Sequence, residues 1–360
     1  MADYYDDLET RSADQRAADM ARDLPAQIAN GVAIAPAMAA HLEGIDPADV
    51  TDRAALAKLP VLRKSSLGAA QAENPPFGGF AGPAGSTHHV FQSPGPIYEP
   101  GGTSRDWWRL GRALHAARIG KGDIVQNCFS YHFTPAGMMY ESGATAVGAS
   151  VFPAGTGQTE LQAQAAAAIG VTAYAGTPDY LKMILDKADE LGLDLSRIKK
   201  ASVGGGALFP SLRQEYADRG IVCVQGYGTA DLGSVAYESP GPGGEIEGMM
   251  VDEGVIVEIV TPGTGDPVAD GEVGEVIVTT MNPDYPLIRF ATGDMSAVLT
   301  GASPCGRTGQ RIKGWMGRAD QTTKIKGMFV RPEQVAALVA KHDEVVKARV
   351  VAGREGEQDT

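Results

Sequence analysis

The spacing of apolar positions along the chain changes at two places. Before residue 70 the spacing is helical: Ser12 precedes a stretch rich in Ala, Leu and Met that closes at Gly31, and Thr51 opens a shorter stretch that Pro60 stops. A serine before the first turn and a glycine after the last are typical helix ends, so two helices are predicted. Residues 74–102 are rich in Pro, Gly, Ser and His, which predicts a long irregular loop of functional use.

From residue 104 short apolar runs alternate with helical patterns. Strands are predicted at 123–129, 149–152, 171–175, up to 203 and at 221–224. Helices are predicted at 104–118, 135–147, 160–169, 177–192 and 210–218. This alternation indicates an α/β fold with a mostly parallel sheet covered on both faces by helices. Functional loops are then expected at the carboxyl ends of the strands.

Beyond residue 240 the pattern becomes one of strands. Runs at 255–260 and 275–279, separated by Gly, Pro and Asp, predict a β-rich subdomain. After Arg318 the pattern predicts a strand at 323–326, a helix at 332–341 and a further strand at 345–351.

Composition limits the class of protein. Of the 360 residues, 43% are hydrophobic, which supports a packed core and excludes wholesale disorder. The net charge of −13 repels phosphate backbones, so no nucleic-acid partner is expected. The acidic N-terminus has no hydrophobic segment and no run of apolar residues is long enough for a membrane, so a cytoplasmic protein is predicted. Cys128, Cys223 and Cys305 are too dispersed for a disulfide framework or a zinc cluster.

Two glycine-bearing stretches follow the last two predicted strands of the β/α pattern. The stretch 203–207 (Val-Gly-Gly-Gly-Ala) is either a tight turn or a set of backbone N–H groups that face a nucleotide or a carboxylate. In the stretch 225–231, the ring of Tyr227 lies between glycines and can stack on a base, while Thr229 and Asp231 can reach a phosphate and a Mg²⁺ ion.

Two further stretches carry charged side chains. In 288–294 (Ile-Arg-Phe-Ala-Thr-Gly-Asp) a turn carboxylate can accept both hydroxyls of a ribose, although an ordinary Thr-Gly-Asp hairpin accounts equally well for the pattern. The stretch 317–320 (Gly-Arg-Ala-Asp) is either a simple boundary between domains or a hinge.

The order and spacing of these four stretches resemble the adenylate-forming ligases, most closely the phenylacetate–coenzyme A ligase branch. The resemblance extends along nearly the whole chain. It is also carried by five shorter segments, 46–49, 59–64, 122–127, 177–180 and 264–275. It implies a large N-terminal adenylate-forming domain over residues 1–317, followed by a hinge and an incomplete small α+β C-terminal domain over 318–360.

The resemblance implies a two-step reaction and its participants. A carboxylate, phenylacetate or a related aromatic acid, attacks the α-phosphate of ATP with the help of Mg²⁺, and the thiol of coenzyme A then displaces AMP. Carried over by position, Gly205, Gly206 and Ala207 line the adenine and acyl sites. The remaining roles fall to these residues: Tyr227 and Gly228 at adenine, Thr229 at the α-phosphate, Asp231 at the metal, Asp294 at the ribose, Arg318 at ribose or phosphate, Asp320 as the hinge, and Ser93 in the phosphate loop.

The acyl pocket is expected to draw on a short aromatic run. Phe129, Tyr131, His132 and Phe133 suit an aryl group, and core packing at a strand end is the alternative. A homodimer is the assembly that relatives suggest.

This sequence departs from the family pattern at two places. The phosphate loop of the family contains a lysine, whereas residues 91–100 here carry prolines and Glu99, and Asp231 stands where glutamate is usual. About forty residues follow Asp320, and neither Lys341 nor Lys347 matches the motif of the family's catalytic lysine. Weak or no adenylate formation is therefore expected. The alternatives are transfer to a carrier-protein thiol and a catalytically reduced protein that binds a nucleotide or an acyl group.

For three other features, an ordinary structural role is expected rather than a functional site. His88 and His89 have no third ligand at a suitable spacing, so a solvated loop pair is expected rather than a metal site. Cys305 has no second cysteine near it in the sequence, so it does not indicate a metal site. Trp107 and Trp108 are expected on a helix, one buried and one partly exposed, as packing residues.

Overall fold

The computed structural model of the protein describes residues 3–82 and 87–319, together with short stretches and single positions after residue 320. The α-helices are α1 (Ala13–Ile34), α2 (Pro36–His41), α3 (Arg53–Leu56), α4 (Lys64–Glu73), α5 (Leu110–Ala116), α6 (Ala136–Ala146), α7 (Thr159–Ile169), α8 (Pro178–Glu190) and α9 (Pro210–Asp218). In this part of the chain, no helix combines the length and the apolar character needed to cross a bilayer.

The strands in the first two-thirds of the chain are β1 (Leu62–Arg63), β2 (His89–Ser93), β3 (Ile97–Gly101), β4 (Ile124–Asn127), β5 (Ser150–Phe152), β6 (Ala173–Gly176), β7 (Lys200–Val203), β8 (Val222–Thr229) and β9 (Gly233–Tyr237). The later strands are β10 (Met249–Val251), β11 (Val255–Val260), β12 (Gly274–Thr280), β13 (Phe290–Ser296), β14 (Val298–Leu299), β15 (Arg311–Ile312), β16 (Thr323–Ile325), β17 (Met328–Val330), β18 (Arg354–Glu355) and β19 (Gln358–Asp359).

The first helix begins as predicted but ends later. The Ser12 side chain accepts from the backbone N–H of Gln15, and the Gln15 side chain accepts from Ser12 in return, which forms a capping box. The prediction that α1 closes at Gly31 is wrong, because Gly31 is buried inside the helix. A Cβ at Gly31 would already touch Met38 and Pro286 at 3.4 Å, so this glycine serves close packing rather than termination.

A nine-stranded sheet forms the larger layer. Its order is β14-β15-β10-β9-β8-β7-β6-β4-β5. The strands from β5 to β8 are parallel, and those from β8 to β14 pair antiparallel. The predicted parallel sheet is therefore confirmed. The carboxyl ends of β6, β7 and β8 meet at one edge, where loops of functional use were expected.

A four-stranded sheet, ordered β1-β13-β12-β11, forms the predicted β-rich subdomain. Strand β11 has the predicted bounds, and β12 is one residue longer at each end. The short strand β1 lies parallel to β13, with Leu62 opposite Phe290. This pairing brings the N-terminal part of the chain, through Lys64 at the start of α4, beside a strand that lies more than 200 residues away.

Two predictions for residues 74–118 are wrong. The stretch 74–102 contains a regular hairpin of β2 and β3, because Pro94 and Pro96 lie in its turn and leave the strands free to pair. The helix expected from residue 104 begins only at Leu110. Trp107 and Trp108 therefore precede it, and both are buried with their rings edge to face.

The C-terminal predictions are only partly tested. The strand expected at 323–326 is present as β16, which pairs with β17. The helix expected at 332–341 and the strand expected at 345–351 lie almost wholly outside the described residues. The boundary between residues 317 and 318 stays a prediction.

A buried ion pair ties the smaller sheet to the N-terminal segment. The Arg289 side chain, 2% exposed, donates to both oxygens of Glu258 at 3.0 and 3.1 Å. Its remaining N–H groups donate to the backbone carbonyls of Ala57, Leu59 and Gly265. Every donor of this guanidinium therefore has a partner, which is what makes a charge tolerable at this depth.

Replacing this arginine should strongly destabilise the protein. In Arg289→Leu, Glu258 stays buried without its partner, which should lower the free energy of unfolding by about 3–5 kcal/mol. The control is Arg219→Leu, since the ion pair between Arg219 and Asp189 lies at the surface and should contribute less than ~1 kcal/mol. Urea unfolding of both variants measures the difference. Equal losses would contradict the role given to the buried pair.

Candidate active site

The tyrosine-bearing stretch lies within a strand rather than after one. Strand β8 was expected to end at Val224 but continues to Thr229, and its pairing with β9 has an irregularity between Tyr227 and Gly228. The pairing is irregular there because the partner strand β9 approaches β8 closely. A Cβ at Gly228 would stand 2.5 Å from the carbonyl oxygen of Gly233, so glycine lets the two strands pair here.

The Thr-Gly-Asp stretch is also part of a strand, so the expected turn is wrong. Residues 292–294 lie in β13 and stand opposite the single residue Val276 of β12, which forms a bulge. Gly293 has φ +75°, and a Cβ there would lie 2.8 Å from Nη2 of Arg318. A bulge next to a site re-aims side chains, and this one brings Asp294 into an isolated bridge with Arg318.

Three predicted residues meet at the carboxylate of Asp294. Its Oδ2 accepts from the hydroxyl of Tyr227 at 2.9 Å, and its Oδ1 accepts from Nη1 of Arg318 at 3.0 Å. The indole Nε1 of Trp315 also donates to Oδ1 at 3.0 Å, a contact that the sequence did not suggest. Burial, and then the charge of Asp294, raise the pKa of Tyr227 well above its usual value, so the phenol stays a donor.

Asp231 is held by a lysine that the sequence analysis did not single out. Lys64 Nζ donates to Oδ2 of Asp231, whose side chain is fully buried. Burial lowers the pKa of Lys64, but the charge and hydrogen bond of Asp231, with further contributions from Glu99 and Asp294, outweigh it and the pKa is raised. Lys64 therefore stays charged beside Asp231.

Glu99 is also fully buried. The hydroxyl of Ser93, which was expected to meet a phosphate, donates to Oε1 of Glu99. Burial, and then the negative charge of Asp231, raise the pKa of Glu99 to about 8. The departure from the family loop thus buries a second carboxyl group, whose pKa responds to the charge of Asp231.

The glycine stretch after β7 forms an exposed loop. Gly205, Gly206 and Ala207 are exposed, and Gly205 has φ +70°. A Cβ at Gly205 would stand 3.8 Å from the ring of Phe129. The side chain of Gln225 donates to the carbonyl oxygen of Gly206 at 2.9 Å, which fixes this loop to β8.

The expected aromatic run divides between core and surface. Phe129 is buried and stacks on Tyr140 with ring centroids 4.3 Å apart. The hydroxyl of Tyr131 donates to Glu141 and accepts from Asn127, both at 2.8 Å. His132 is exposed, and so is Phe133, at 76%. Within this run, Phe129 therefore lies near the glycine loop.

Asp231 meets the chemical requirement for a magnesium ligand. Its Oδ1 is buried and has no hydrogen-bond partner among the residues that the structure describes, and Mg²⁺ prefers carboxylate oxygens. Thr229 lies two residues earlier, and its Oγ1 accepts from the backbone N–H of Leu232 at 3.1 Å. The remaining predicted residue, Asp320, lies outside the described residues.

Other candidates take no part in this arrangement. In the described ranges, no three or more His, Cys, Asp and Glu side chains are grouped to hold a metal ion. Cys128 and Cys223 are free and buried, and Cys305 is free and half-buried. Cys305 lies 3.0 Å from the hydroxyl of Ser303.

Comparison with protein families and curated proteins identifies relatives. Residues 105–282 match the model of the AMP-binding enzyme family. The chain is 30% identical over 319 residues to the phenylacetate-coenzyme A ligase of Escherichia coli K12, a match that covers 83% of this chain and 70% of that protein. It is 29% identical over 337 residues to the phenylacetate-coenzyme A ligase of Aromatoleum evansii, covering 88% of this chain and 73% of that protein.

Solved structures share the fold. A 2-hydroxyisobutyryl-CoA ligase, solved with 2-HIB-AMP and CoA in the thioesterification state, superposes with a TM-score of 0.86 at 22% identity. The match covers 99% of this chain and 80% of that one. Another structure of 2-hydroxyisobutyryl-CoA ligase, in an open conformation, superposes with a TM-score of 0.81 at the same identity. At this identity the likeness concerns the fold.

The raised pKa of Glu99 predicts a pH-dependent stability. An unfolded glutamate titrates near pH 4.5 and Glu99 in the folded protein near pH 8, so its contribution is complete at low pH and is lost as the pH rises through this window. Between about pH 5.5 and about pH 7.5, wild type should lose about 3 kcal/mol relative to Glu99→Gln, which cannot titrate.

Urea unfolding of both proteins in EDTA, at each pH, measures this difference. Groups common to the two proteins cancel in the comparison. A difference that does not change with pH would show that Glu99 is not held in its protonated form.

Proposed function

We propose that this chain, which belongs to the phenylacetate–coenzyme A ligase branch of the adenylate-forming enzymes, activates an aromatic carboxylic acid. By that membership it is an AMP-forming acyl–CoA ligase. The acid is converted to an acyl adenylate with release of pyrophosphate, and the thiol of coenzyme A then takes the acyl group and releases AMP. The meeting of Tyr227, Asp294 and Arg318 at one carboxylate is the observation that carries the assignment of residues.

The nucleotide end of the site is built around Asp294. Its ionised carboxylate accepts hydrogen bonds from the two ribose hydroxyls, and the ring of Tyr227 lies against the adenine. Arg318 places a positive charge beside the ribose and the α-phosphate. The contacts among these three side chains support the proposal, because they hold the carboxylate in one orientation before the nucleotide arrives.

The phosphate end lies at the end of β8. The hydroxyl of Thr229 donates to an oxygen of the α-phosphate. Asp231 would hold Mg²⁺ through Oδ1, which has no hydrogen-bond partner among the described residues. When bound, the ion neutralises charge on the phosphates so that the anionic acid can approach the α-phosphorus. Lys64 keeps Asp231 oriented through Oδ2 and adds a positive charge at the same end.

In the first step, an oxygen of the acid forms a bond to the α-phosphorus while the bond to pyrophosphate breaks. In the second, the sulfur of coenzyme A bonds to the acyl carbon and AMP leaves with the electron pair. The acyl pocket lies between the glycine loop at 204–207 and Phe129. An aromatic acid is supported by the stacked rings of Phe129 and Tyr140, since an aryl group packs well on such a surface.

The other parts of the proposal concern the acceptor, the assembly and the location of the protein. Transfer to a carrier-protein thiol is the alternative to coenzyme A, a homodimer is the assembly that the resemblance suggests, and a cytoplasmic location is a prediction of the sequence. A thiol-acceptor assay with coenzyme A and with a phosphopantetheinyl carrier separates the two acceptors.

Asp294→Asn should weaken AMP binding. The variant keeps the shape of the side chain but loses the charge that strengthens hydrogen bonds from the ribose, so the dissociation constant should rise about tenfold to a hundredfold. The control is Asp266→Asn, in an exposed turn of the same β-rich subdomain. Calorimetric titration with AMP measures both variants. Equal affinities for AMP in wild type and Asp294→Asn would exclude the ribose role.

The choice of acid is tested with a panel. With ATP, Mg²⁺ and coenzyme A, phenylacetate and benzoate should give at least about tenfold higher kcat/KM for AMP formation than acetate and isobutyrate. Phe129→Leu should reduce that ratio, because it removes the ring beside Gly205. Phe152→Leu, on the edge strand β5, is the control and should leave the ratio unchanged.

A preference for the aliphatic acids, or equal effects of the two leucine variants, would contradict an aromatic substrate. Weak or absent adenylate formation stays a prediction of the sequence. Pyrophosphate release in the same reactions tests it.

A further inference from the structure

The carboxylate of Asp294 accepts hydrogen bonds from three protein side chains. Oδ1 accepts from the indole Nε1 of Trp315 and from Nη1 of Arg318, both at 3.0 Å. Oδ2 accepts from the hydroxyl of Tyr227 at 2.9 Å. An ionised carboxylate has about four lone-pair positions, two on each oxygen. Protein donors therefore use both positions of Oδ1 and one position of Oδ2.

A ribose that binds through both of its hydroxyls exceeds this capacity. Two more donors would bring the total to about five, one more than the carboxylate can accept. One of the three protein donors must therefore leave Asp294 when a ribose takes two positions. This step rests on the ribose role given to Asp294 in the proposed function.

Trp315 is the donor that the fold holds least firmly. Its side chain is 53% exposed, and residues 313–317 belong to no helix or strand. Across the part of the chain that the structure describes, the indole makes no hydrogen bond other than the one to Asp294. Turning this side chain away therefore breaks a single hydrogen bond and moves a ring that is already half in solvent.

The other two donors are anchored by further contacts. Tyr227 lies in β8, and its hydroxyl also lies 3.3 Å from Oγ1 of Thr292. The backbone of Arg318 forms an isolated bridge with Asp294, and Nη1 also donates to the carbonyl oxygen of Thr292 at 3.3 Å. Moving either of these side chains breaks more than one contact, so Trp315 is the donor that gives way.

We propose that the indole of Trp315 occupies one of the two ribose-binding positions on Asp294 and turns away when the nucleotide binds. A ribose hydroxyl then replaces the indole N–H, so the buried carboxylate has a donor at this position before and after the exchange. The lost indole bond offsets part of what the second hydroxyl contributes, which lowers the affinity for the nucleotide. The reverse exchange favours the release of AMP after the second step.

The affinity of Trp315→Phe tests this exchange. The variant keeps an aromatic ring but lacks the indole N–H, so it should bind AMP about threefold to tenfold more tightly than wild type, because no protein hydrogen bond has to break. 2′-Deoxy-AMP needs only the position that Oδ2 keeps, so its affinity should be the same in both proteins. Calorimetric titration of the full chain measures the four dissociation constants.

Trp107→Phe is the matched control. Trp107 also donates its indole N–H to a carboxylate, Oδ2 of Asp284 at 2.9 Å, but Asp284 has no role assigned at the nucleotide. This variant should bind AMP as wild type does. Thermal melting checks that both phenylalanine variants are folded.

The indole N–H resonance of Trp315 gives a second measurement, in wild type itself. The chain has three tryptophans, and a soluble paramagnetic agent should broaden the resonance of Trp315 selectively, because Trp107 and Trp108 are buried. AMP should shift this resonance upfield, since the N–H leaves a charged acceptor. 2′-Deoxy-AMP carries the same adenine ring and should leave the resonance in place.

The outcomes separate this inference from the proposed function. Failure of AMP to bind wild type at millimolar concentration refutes both. When AMP binds, an unmoved Trp315 resonance, or equal AMP affinities of Trp315→Phe and wild type, overturns the inference alone. Equal responses to AMP and to bound 2′-deoxy-AMP also overturn it. If 2′-deoxy-AMP does not bind, the two measurements with AMP decide.

Discussion

The hydrogen bond from Tyr227 to Asp294 joins the two main sheets of the molecule at the site. Tyr227 belongs to β8 in the nine-stranded sheet and Asp294 to β13 in the four-stranded sheet. Neither sheet alone contains a complete nucleotide-binding surface. The nucleotide site therefore depends on how these sheets are packed. It depends also on Arg289, which pairs with Glu258 and binds the carbonyls of Ala57 and Leu59 in the N-terminal segment.

The charged side chains of the site form two groups, one around Asp294 and one around Asp231. At one end, Asp294 accepts from Tyr227, Trp315 and Arg318, so its charge is matched by donors. At the other end, Lys64 donates to Oδ2 of Asp231, and Oδ1 of Asp231 has no hydrogen-bond partner among the described residues. The donors at each end therefore hold one carboxylate in a fixed orientation before a ligand arrives.

Much of the fold was predictable because its signals are local. Helix α9 has its predicted bounds, since Pro210 begins a short amphipathic run, and β11 is a continuous apolar stretch between turn residues. The predictions were wrong where contacts between distant parts of the chain determine the local structure. Gly31 was interpreted as a helix end, but Pro286 packs against it and the helix continues. The hairpin of β2 and β3 was missed because composition does not show that the prolines fall in its turn.

The site was predictable only in part, for the same physical reason. Tyr227, Asp294 and Arg318 could be named because glycines flank them in a recognisable order, yet two of their stretches were expected to be loops and are strands. Lys64 carries no such local signal. Lys64 reaches Asp231 only because β1 pairs with β13, and a pairing across more than 200 residues leaves no mark on the sequence around the lysine. Glu99 was correctly noted as a reversal of charge, but its meaning depends on its burial and on the charge of Asp231. A buried charge has to be interpreted together with its neighbours, and these neighbours are set by the fold.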